Sequence, residues 1–216
     1  MENNKKVGSL IGDTEDIERR KQLSNIALNK LKTVWISRDK IKRTTKIKLY
    51  NALVKSILTY NCGTWATTQA EINKLDAFHR KQLRKVLNIH YPTTISNQSL
   101  YKICNERPLS NHIIESRWRL FGHILRRDIE IPANKAMQAY FELLTNRFRG
   151  RPLTTLPVTL NKELSQAFPH MKLKTAEDLK DLRSLAQDRD HWRVFTRRIT
   201  EFAQASNSDE FDAKSS

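Results

Sequence analysis

Histidine and cysteine are the residues of this chain that could bind a transition metal, and the sequence contains six and two of them. No two histidines lie at the i, i+4 spacing of a helical zinc site, and no Cys-x-x-Cys pair occurs. Cys104, His112 and His123 are one set that could converge, but zinc ligands come in more closely spaced pairs. The spacing therefore predicts no metal site and no cofactor.

Carboxylates would be needed for metal-dependent phosphoryl transfer, in which they hold two cations close to a phosphate. No Asp-Asp dipeptide occurs, and the acids between residues 17 and 107 are scattered. Neither a G-x-S-x-G segment nor a glycine-rich phosphate loop is present. The sequence predicts no catalytic residue. One alternative is a metal-dependent nuclease site, although lysines and arginines are interleaved with its acids as on a solvated helix face: Glu177, Asp178, Asp181, Asp188 and Asp190.

Positive charge is the strongest feature of the composition. The 216 residues include 39 Lys and Arg against 23 Asp and Glu, which gives a net charge of +16 and a pI near 10.0. Residues 1–108 carry a net +12 and residues 109–155 carry +4, whereas residues 156–216 are neutral. A charge of this size indicates a polyanionic partner, most often a nucleic acid. Solvated lysines on amphipathic helices are the alternative, but they leave the concentration of charge in the first half unexplained.

The secondary-structure elements that carry these residues are predicted to be helices. Only five Gly and six Pro occur, and many short strands would need more of them for hairpin turns. The predicted fold is all-α, with a basic bundle of three to four helices followed by a smaller helical tail. The bundle spans 1–108, linker helices with Gly-His-Ile and Arg-Gly-Arg-Pro segments span 109–155, and the tail spans 156–203. Residues 204–216 are predicted to be disordered.

Apolar residues recur at helical spacing in three basic segments, 12–36, 46–61 and 68–89. A fourth segment, 109–128, has the clearest pattern, with a polar stripe opposite its apolar one. Ser96 and the pair Thr175 and Asp178 are predicted helix caps. The apolar positions of the second and fourth segments are, in order, Ile47, Tyr50, Val54, Ile57 and Asn61, then Ile114, Trp118, Phe121 and Leu125.

Five segments, in this order, resemble the C-terminal part of reverse transcriptases from LINE-like, non-LTR retrotransposons. They are GSLIGDTEDIERRKQLSNIALNKLKTVW, TKIKLYNALVKSILTYNCGTW, LDAFHRKQLRKVLNI, RWRLFGHILRR and RGRP. The resemblance covers about Lys6 to Pro152, and DRDHWRVFTRRI near the end is similar more weakly. The ordered set is specific, whereas each segment alone is weak.

The resemblance implies that the basic helices form a thumb, which grips the template–primer duplex of an RNA-directed DNA polymerase. It also implies that the helix with Gly122-His123-Ile124 belongs to a linker beyond the thumb. In this family the palm, with its paired aspartates, precedes the region. No position here matches a catalytic residue, so the resemblance implies a retrotransposon fragment without polymerase activity of its own, for which a palm domain is a docking partner.

The predicted function is therefore binding of RNA–DNA hybrid or duplex nucleic acid through its phosphates, by an intracellular protein of the nucleus or cytoplasm without a membrane span. The alternative is a helical protein–protein adaptor whose basic face docks an acidic partner. Tyr50, Tyr60 and Trp65 could stack on bases, although Tyr50 lies on an apolar seam. The predicted phosphate contacts are Lys42, Arg43, Lys46, Lys48, Lys55, Arg80, Lys81, Arg84, Lys85, Arg119 and Arg126.

Overall fold

The computed structural model describes the backbone of residues 5–6, 9–10, 12–36, 40–142 and 154–212. Side chains are described for residues 12–36, 40–142 and 154–203. The predicted Arg-Gly-Arg-Pro connector, 149–152, lies outside these ranges.

The predicted all-α class is confirmed, and the described chain departs from it only in a minimal antiparallel pair of strands near the N-terminus. The strands are β1 (Lys5–Lys6) and β2 (Ser9–Leu10). The α-helices are α1 (Asp13–Lys30), α2 (Lys32–Ile36), α3 (Arg43–Tyr50), α4 (Ser56–Leu58), α5 (Gln69–Val86), α6 (Asn97–Cys104), α7 (Leu109–Leu125), α8 (Pro132–Glu142), α9 (Leu156–Ala167), α10 (Ala176–Gln187) and α11 (Arg189–Asp212).

The chain divides into two compact units. Unit 1 comprises Met1–Cys62 and Gln69–Ser110, and unit 2 comprises Gly63–Thr68 and Asn111–Ser216. The segments predicted as linker and tail thus share unit 2. The backbone is helical as far as Asp212, within the segment 204–216 for which disorder was the prediction.

The core of unit 1 forms where α1, α3, α5 and α6 turn their apolar stripes inward. Its largest fully buried side chains include Tyr50, Leu28 and Leu83, and burial of each apolar side chain contributes about 1.5–3 kcal/mol. The segment predicted as one helix over 12–36 is interrupted at Leu31, which separates α1 from α2. Trp35 then folds back, and its indole Nε1 donates a 2.8 Å hydrogen bond to the Leu28 carbonyl.

The second helical segment contains a π-helical turn, Asn51–Lys55, between α3 and α4. A π turn contains one residue more than an α turn, so every later position rotates around the axis. The predicted seam holds through Tyr50 and Val54, which are fully buried, and then shifts by one residue. Leu58 is fully buried where the sequence pattern predicted Ile57, and Asn61 is exposed with a positive φ of 59°.

The core of unit 2 forms around α7. Its predicted apolar stripe is confirmed, because Ile114, Trp118, Phe121 and Leu125 are all buried. Trp118 lies among the rings of Phe121, Trp192 and Phe195 at centroid distances of 5.7–5.9 Å. This aromatic layer, supplied by α7 and α11, belongs to the buried core of unit 2.

A buried ion pair supports the same helix from its other side. Arg117, only 1 % exposed, pairs with Glu163 of α9 and also donates to the Trp65 carbonyl and the Thr67 hydroxyl. The Trp118 indole Nε1 donates a 2.8 Å hydrogen bond to the second oxygen of Glu163. Burial raises the pKa of Glu163, while the Arg117 guanidinium and the Trp118 hydrogen bond act in the opposite direction.

Gly63 and Trp65 belong to the Cys-Gly-Thr-Trp segment that follows the second helical segment. A Cβ on Gly63 would lie 2.9 Å from the Ser116 carbonyl oxygen, so only glycine allows this approach to α7. Trp65 is 1 % exposed and its carbonyl receives the Arg117 hydrogen bonds. Gly63 and Trp65 therefore pack within unit 2, and the Trp65 ring is not available to stack on a base.

The predicted helix caps are confirmed. The Ser96 hydroxyl accepts the Ser99 amide at the start of α6. Thr175 and Asp178 form a reciprocal capping box at the start of α10. Such caps satisfy amides that have no partner inside the helix and contribute about 1 kcal/mol each.

Gly122 permits the close contact between α7 and α11, and replacing it tests that packing. A Cβ there would lie 2.1 Å from the Trp192 indole nitrogen, which donates a 3.1 Å hydrogen bond to the Trp118 carbonyl. We expect Gly122→Ala to destabilise the protein by about 1–3 kcal/mol despite its better helix propensity, because buried Trp192 must move. The measurement is the urea unfolding midpoint, with exposed Ser184→Ala as the control. A midpoint equal to or above that of wild type would contradict this packing.

Candidate nucleic-acid interface

The start of α3 presents the most exposed group of predicted phosphate contacts. Lys42, Arg43 and Lys48 are exposed, and none of them makes an ion pair within the described residues. Lys42 precedes the helix with an extended backbone, and no side chain caps the first turn. Lys42 and Arg43 are thus directed into solvent at the positive end of a helix dipole, where a phosphate would be favoured. Lys48 is directed into solvent from the last turn of the same helix.

Lys46 lies on the same helix but points inward. It is 5 % exposed, and its Nζ donates a 2.7 Å hydrogen bond to the Trp35 carbonyl. This carbonyl belongs to the last turn of α2, which has no further helical turn to satisfy it. Lys46 is therefore placed to hold α2 against α3, and its ammonium is not directed towards an external phosphate.

Lys55 is also engaged within the protein. Its Nζ lies 2.6 Å from Glu106 Oε2, and the Asn51 carboxamide donates to the other oxygen of the same carboxylate. Lys55 and Glu106 have side chains only 19 % and 7 % exposed, so the pair is mostly removed from water. The π turn carries both Asn51 and Lys55, and the carboxylate of Glu106 bridges them.

On α5, the predicted basic flank divides into outward and inward members. Lys81 and Lys85 are exposed, together with Lys74, which the sequence prediction did not include. From Lys74 to Lys85 they extend over about 16 Å of helix at 1.5 Å per residue. The solvent face of α5 thus carries a row of three lysines. Lys74 belongs to this row because it is exposed and lies at helical spacing from Lys81.

Arg80 and Arg84 are half-buried and contact α6 and the loop before it. Arg84 donates to the Ile95 carbonyl at 3.2 Å and to Asn97 Oδ1 at 2.8 Å. The Arg80 guanidinium lies near the hydroxyl of Tyr101, whose pKa burial raises to about 12 against the opposing effect of that positive charge. Both guanidinium groups therefore organise unit 1.

Arg119 and Arg126 belong to unit 2. Arg119 is exposed and pairs with Glu115 at 2.7 Å, one turn earlier on α7. Arg126 donates a 3.1 Å hydrogen bond to the Ala186 carbonyl, at the end of α10. Neither residue is part of the lysine-bearing surface of unit 1.

The acids of unit 1 beyond residue 40 all have partners inside the protein. Glu71 Oε1 accepts the Thr14 hydroxyl at 2.9 Å. Asp76 is 8 % exposed and accepts the Ser110 amide, and burial raises the pKa of its carboxyl against the opposing effect of that hydrogen bond. Glu106 holds Lys55. Among residues 40–110, the Asp76 and Glu106 side chains are thus mostly removed from solvent, whereas Glu71 at the start of α5 is half-exposed and is outnumbered by the exposed cations of α3 and α5.

The acids of the alternative nuclease site do not converge. Asp178 completes the α10 capping box, and Asp188 accepts the amides of His191 and Asp190, which lower its pKa. Asp190 itself pairs with Arg193 at 2.7 Å. Among the described residues there is no group of three or more His, Cys, Asp or Glu that could hold a metal ion.

The three aromatic residues considered for base stacking differ in exposure. Tyr50 and Trp65 are 0 % and 1 % exposed, so both belong to the core. Tyr60 is 47 % exposed, but the Arg20 guanidinium lies over its ring, 4.4 Å from the centroid. Tyr91, which the sequence prediction overlooked, is 93 % exposed.

Comparison of the chain with protein-family models, with curated proteins and with solved structures finds no match. The resemblance to LINE-like reverse transcriptases therefore stays a prediction that rests on the five ordered segments. No helix within the described ranges is long and apolar enough to cross a lipid bilayer.

The inward-pointing lysines, Lys46 and Lys55, should contribute to stability, whereas the exposed Lys48 should not. We expect Lys55→Met to destabilise the protein by about 3–5 kcal/mol, because it leaves the Glu106 carboxylate buried without its cation. Lys46→Met should cost about 1–3 kcal/mol, because the Trp35 carbonyl loses its donor. Lys48→Met, on the exposed side of the same helix, is the control and should stay within about 0.5 kcal/mol of wild type. Chemical denaturation measures all three, and equal midpoints would show that Lys46 and Lys55 are solvated.

Proposed function

We propose that unit 1 binds RNA–DNA hybrid or duplex nucleic acid through its phosphates, as a thumb-like module of a LINE-like reverse transcriptase. The observation that carries the proposal is the distribution of charge: exposed cations remain on α3 and α5, while the Asp76 and Glu106 side chains are withdrawn from solvent and only Glu71, among the acids described in residues 40–110, is half-exposed. A surface of this kind attracts a phosphate backbone by releasing its counterions, without a requirement for sequence. The contacts we assign to phosphates are Lys42, Arg43, Lys48, Lys81 and Lys85.

The family assignment adds a second partner to the proposal. In a reverse transcriptase a palm domain would adjoin the thumb and carry the catalytic aspartates, so we assign no polymerase activity to this chain alone. Leu23 and Ile26 on α1 are 36 % and 53 % exposed, and a palm domain would give them an apolar environment.

The salt dependence of binding tests the phosphate contacts. Five such contacts predict a slope of log affinity against log salt of about −4.5, so affinity for a hybrid duplex should fall about 500-fold between 50 and 200 mM salt. Replacing the five assigned cations by Gln should remove most of that slope and weaken binding similarly for unrelated duplex sequences. Fluorescence anisotropy with a labelled hybrid measures both quantities.

A second variant with the same change in net charge tests whether binding depends on the α3 and α5 cations or on the total charge alone. It replaces five exposed cations of unit 2 by Gln, and it should retain the wild-type slope. An equal loss of affinity in both variants would contradict the placement on α3 and α5. Displacement of the duplex by an acidic peptide at a lower concentration than by heparin would favour the adaptor function instead. The control positions are Lys172, Lys174, Lys180, Arg189 and Arg197.

A further inference from the structure

A cleft of about 340 Å³ opens in unit 1 where the start of α3, the end of α5 and α6 meet. Its walls are mainly aliphatic, from Ile41, Leu87, Ile89 and Ile103, and Asn88 completes the α5 side. Arg43 and Lys46 line it from α3. Its volume lies at the lower end of the range for small-molecule sites.

The charge inside the cleft is positive and comes chiefly from Arg43. Lys46 contributes its aliphatic stem, since its ammonium is bonded to the Trp35 carbonyl. Arg43 is exposed, and it lies close enough to Cys104 of α6 to oppose the burial that raises the pKa of that thiol to about 11. Among the residues that the structure describes, the lining of the cleft includes no acid. An occupant should therefore combine an apolar body with an anionic group.

A hydrogen-bonded turn stands beside the cleft. His90 Nε2 is 2.9 Å from the Oδ1 of cleft-lining Asn88, and the Thr93 amide donates to the His90 carbonyl at 2.9 Å. Tyr91 occupies the second position of this turn with 93 % of its surface exposed. An aromatic ring held on an ordered turn offers a stacking surface at a small entropic cost.

We propose that this cleft binds one unpaired nucleotide at the end of a duplex, with the base between the aliphatic walls and its phosphate on Arg43. Tyr91 would cover the exposed edge of the base. A nucleotide combines a base with apolar faces and an anion, and Lys42 and Lys85, each within two residues of a lining residue along the chain, add positive charge. The inference rests on the proposed duplex binding and adds to it a preference for an end with an extruded or overhanging base.

Three DNA–RNA hybrids of one sequence test the proposal. The first is blunt, the second carries a one-nucleotide overhang with 2-aminopurine, and the third carries the same overhang with an abasic sugar. The two overhangs have equal charge, so their difference isolates the base. We expect the 2-aminopurine overhang to bind about 5-fold or more tighter than the abasic one, with a change in 2-aminopurine fluorescence.

Two substitutions of equal charge locate the effect. Ile103→Glu places a carboxylate in the cleft at a residue already 37 % exposed, and it should abolish the preference for the base while duplex binding persists. Ile26→Glu, at a 53 % exposed position of α1 outside the cleft, should retain the preference. Tyr91→Ala should lower it about 2- to 5-fold, and it removes no packed side chain.

The outcomes separate the two proposals. Equal affinities for the 2-aminopurine and abasic overhangs, with blunt hybrid still bound, would overturn the cleft assignment and leave duplex binding in place. Absence of binding to all three hybrids at low salt would overturn both. Retention of the preference in Ile103→Glu would place the base elsewhere, and displacement of the overhang by an acidic aliphatic peptide alone would assign the cleft to a protein partner.

Discussion

A cation that leaves water must have a partner, and this constraint divides the basic residues of the chain into two groups. Lys46, Lys55 and Arg117 enter the interior only where a carbonyl or a carboxylate receives them. Burying an ion costs several kcal/mol, which only such partners offset. The structure therefore uses internal acceptors on these residues and on half-buried arginines such as Arg84, whereas cations such as Lys42, Lys48 and Lys81 remain exposed to solvent. The basic surface therefore consists of the cations that have no acceptor in the interior.

Helical periodicity predicted the parts of the fold in which packing alone decides the pattern. The α7 stripe, the Ser96 cap and the Thr175 box follow from rules that relate neighbouring residues. The π turn could not be predicted from these rules, because no residue type marks its extra residue. That residue shifts the apolar seam from Ile57 to Leu58. Helical spacing thus predicts the buried positions as far as the point where the backbone changes from an α-helix to a π turn.

The candidate site could be predicted only in part, because helical spacing does not reveal what lies opposite a side chain. Lys46 is four residues before Tyr50 and eight before Val54, so its place on the seam was readable from the sequence. Its acceptor, the Trp35 carbonyl, was not readable, since it depends on the break between α1 and α2. The inward position of Lys55 depends on its ion pair with Glu106, which lies 51 residues away in the chain. Such long-range pairing is a property of the tertiary structure.

The internal use of the acids connects the stability of unit 1 with its proposed function. The carboxylates of Asp76 and Glu106 support the fold from positions withdrawn from solvent, so they do little to neutralise the surface. Exposed lysines such as Lys81 add little to stability, and their mutual repulsion opposes compactness. A bound polyanion would relieve that repulsion without rearranging a single internal ion pair. The described residues that line the cleft beside Arg43 include no acid, which is the environment that the proposed nucleotide site requires.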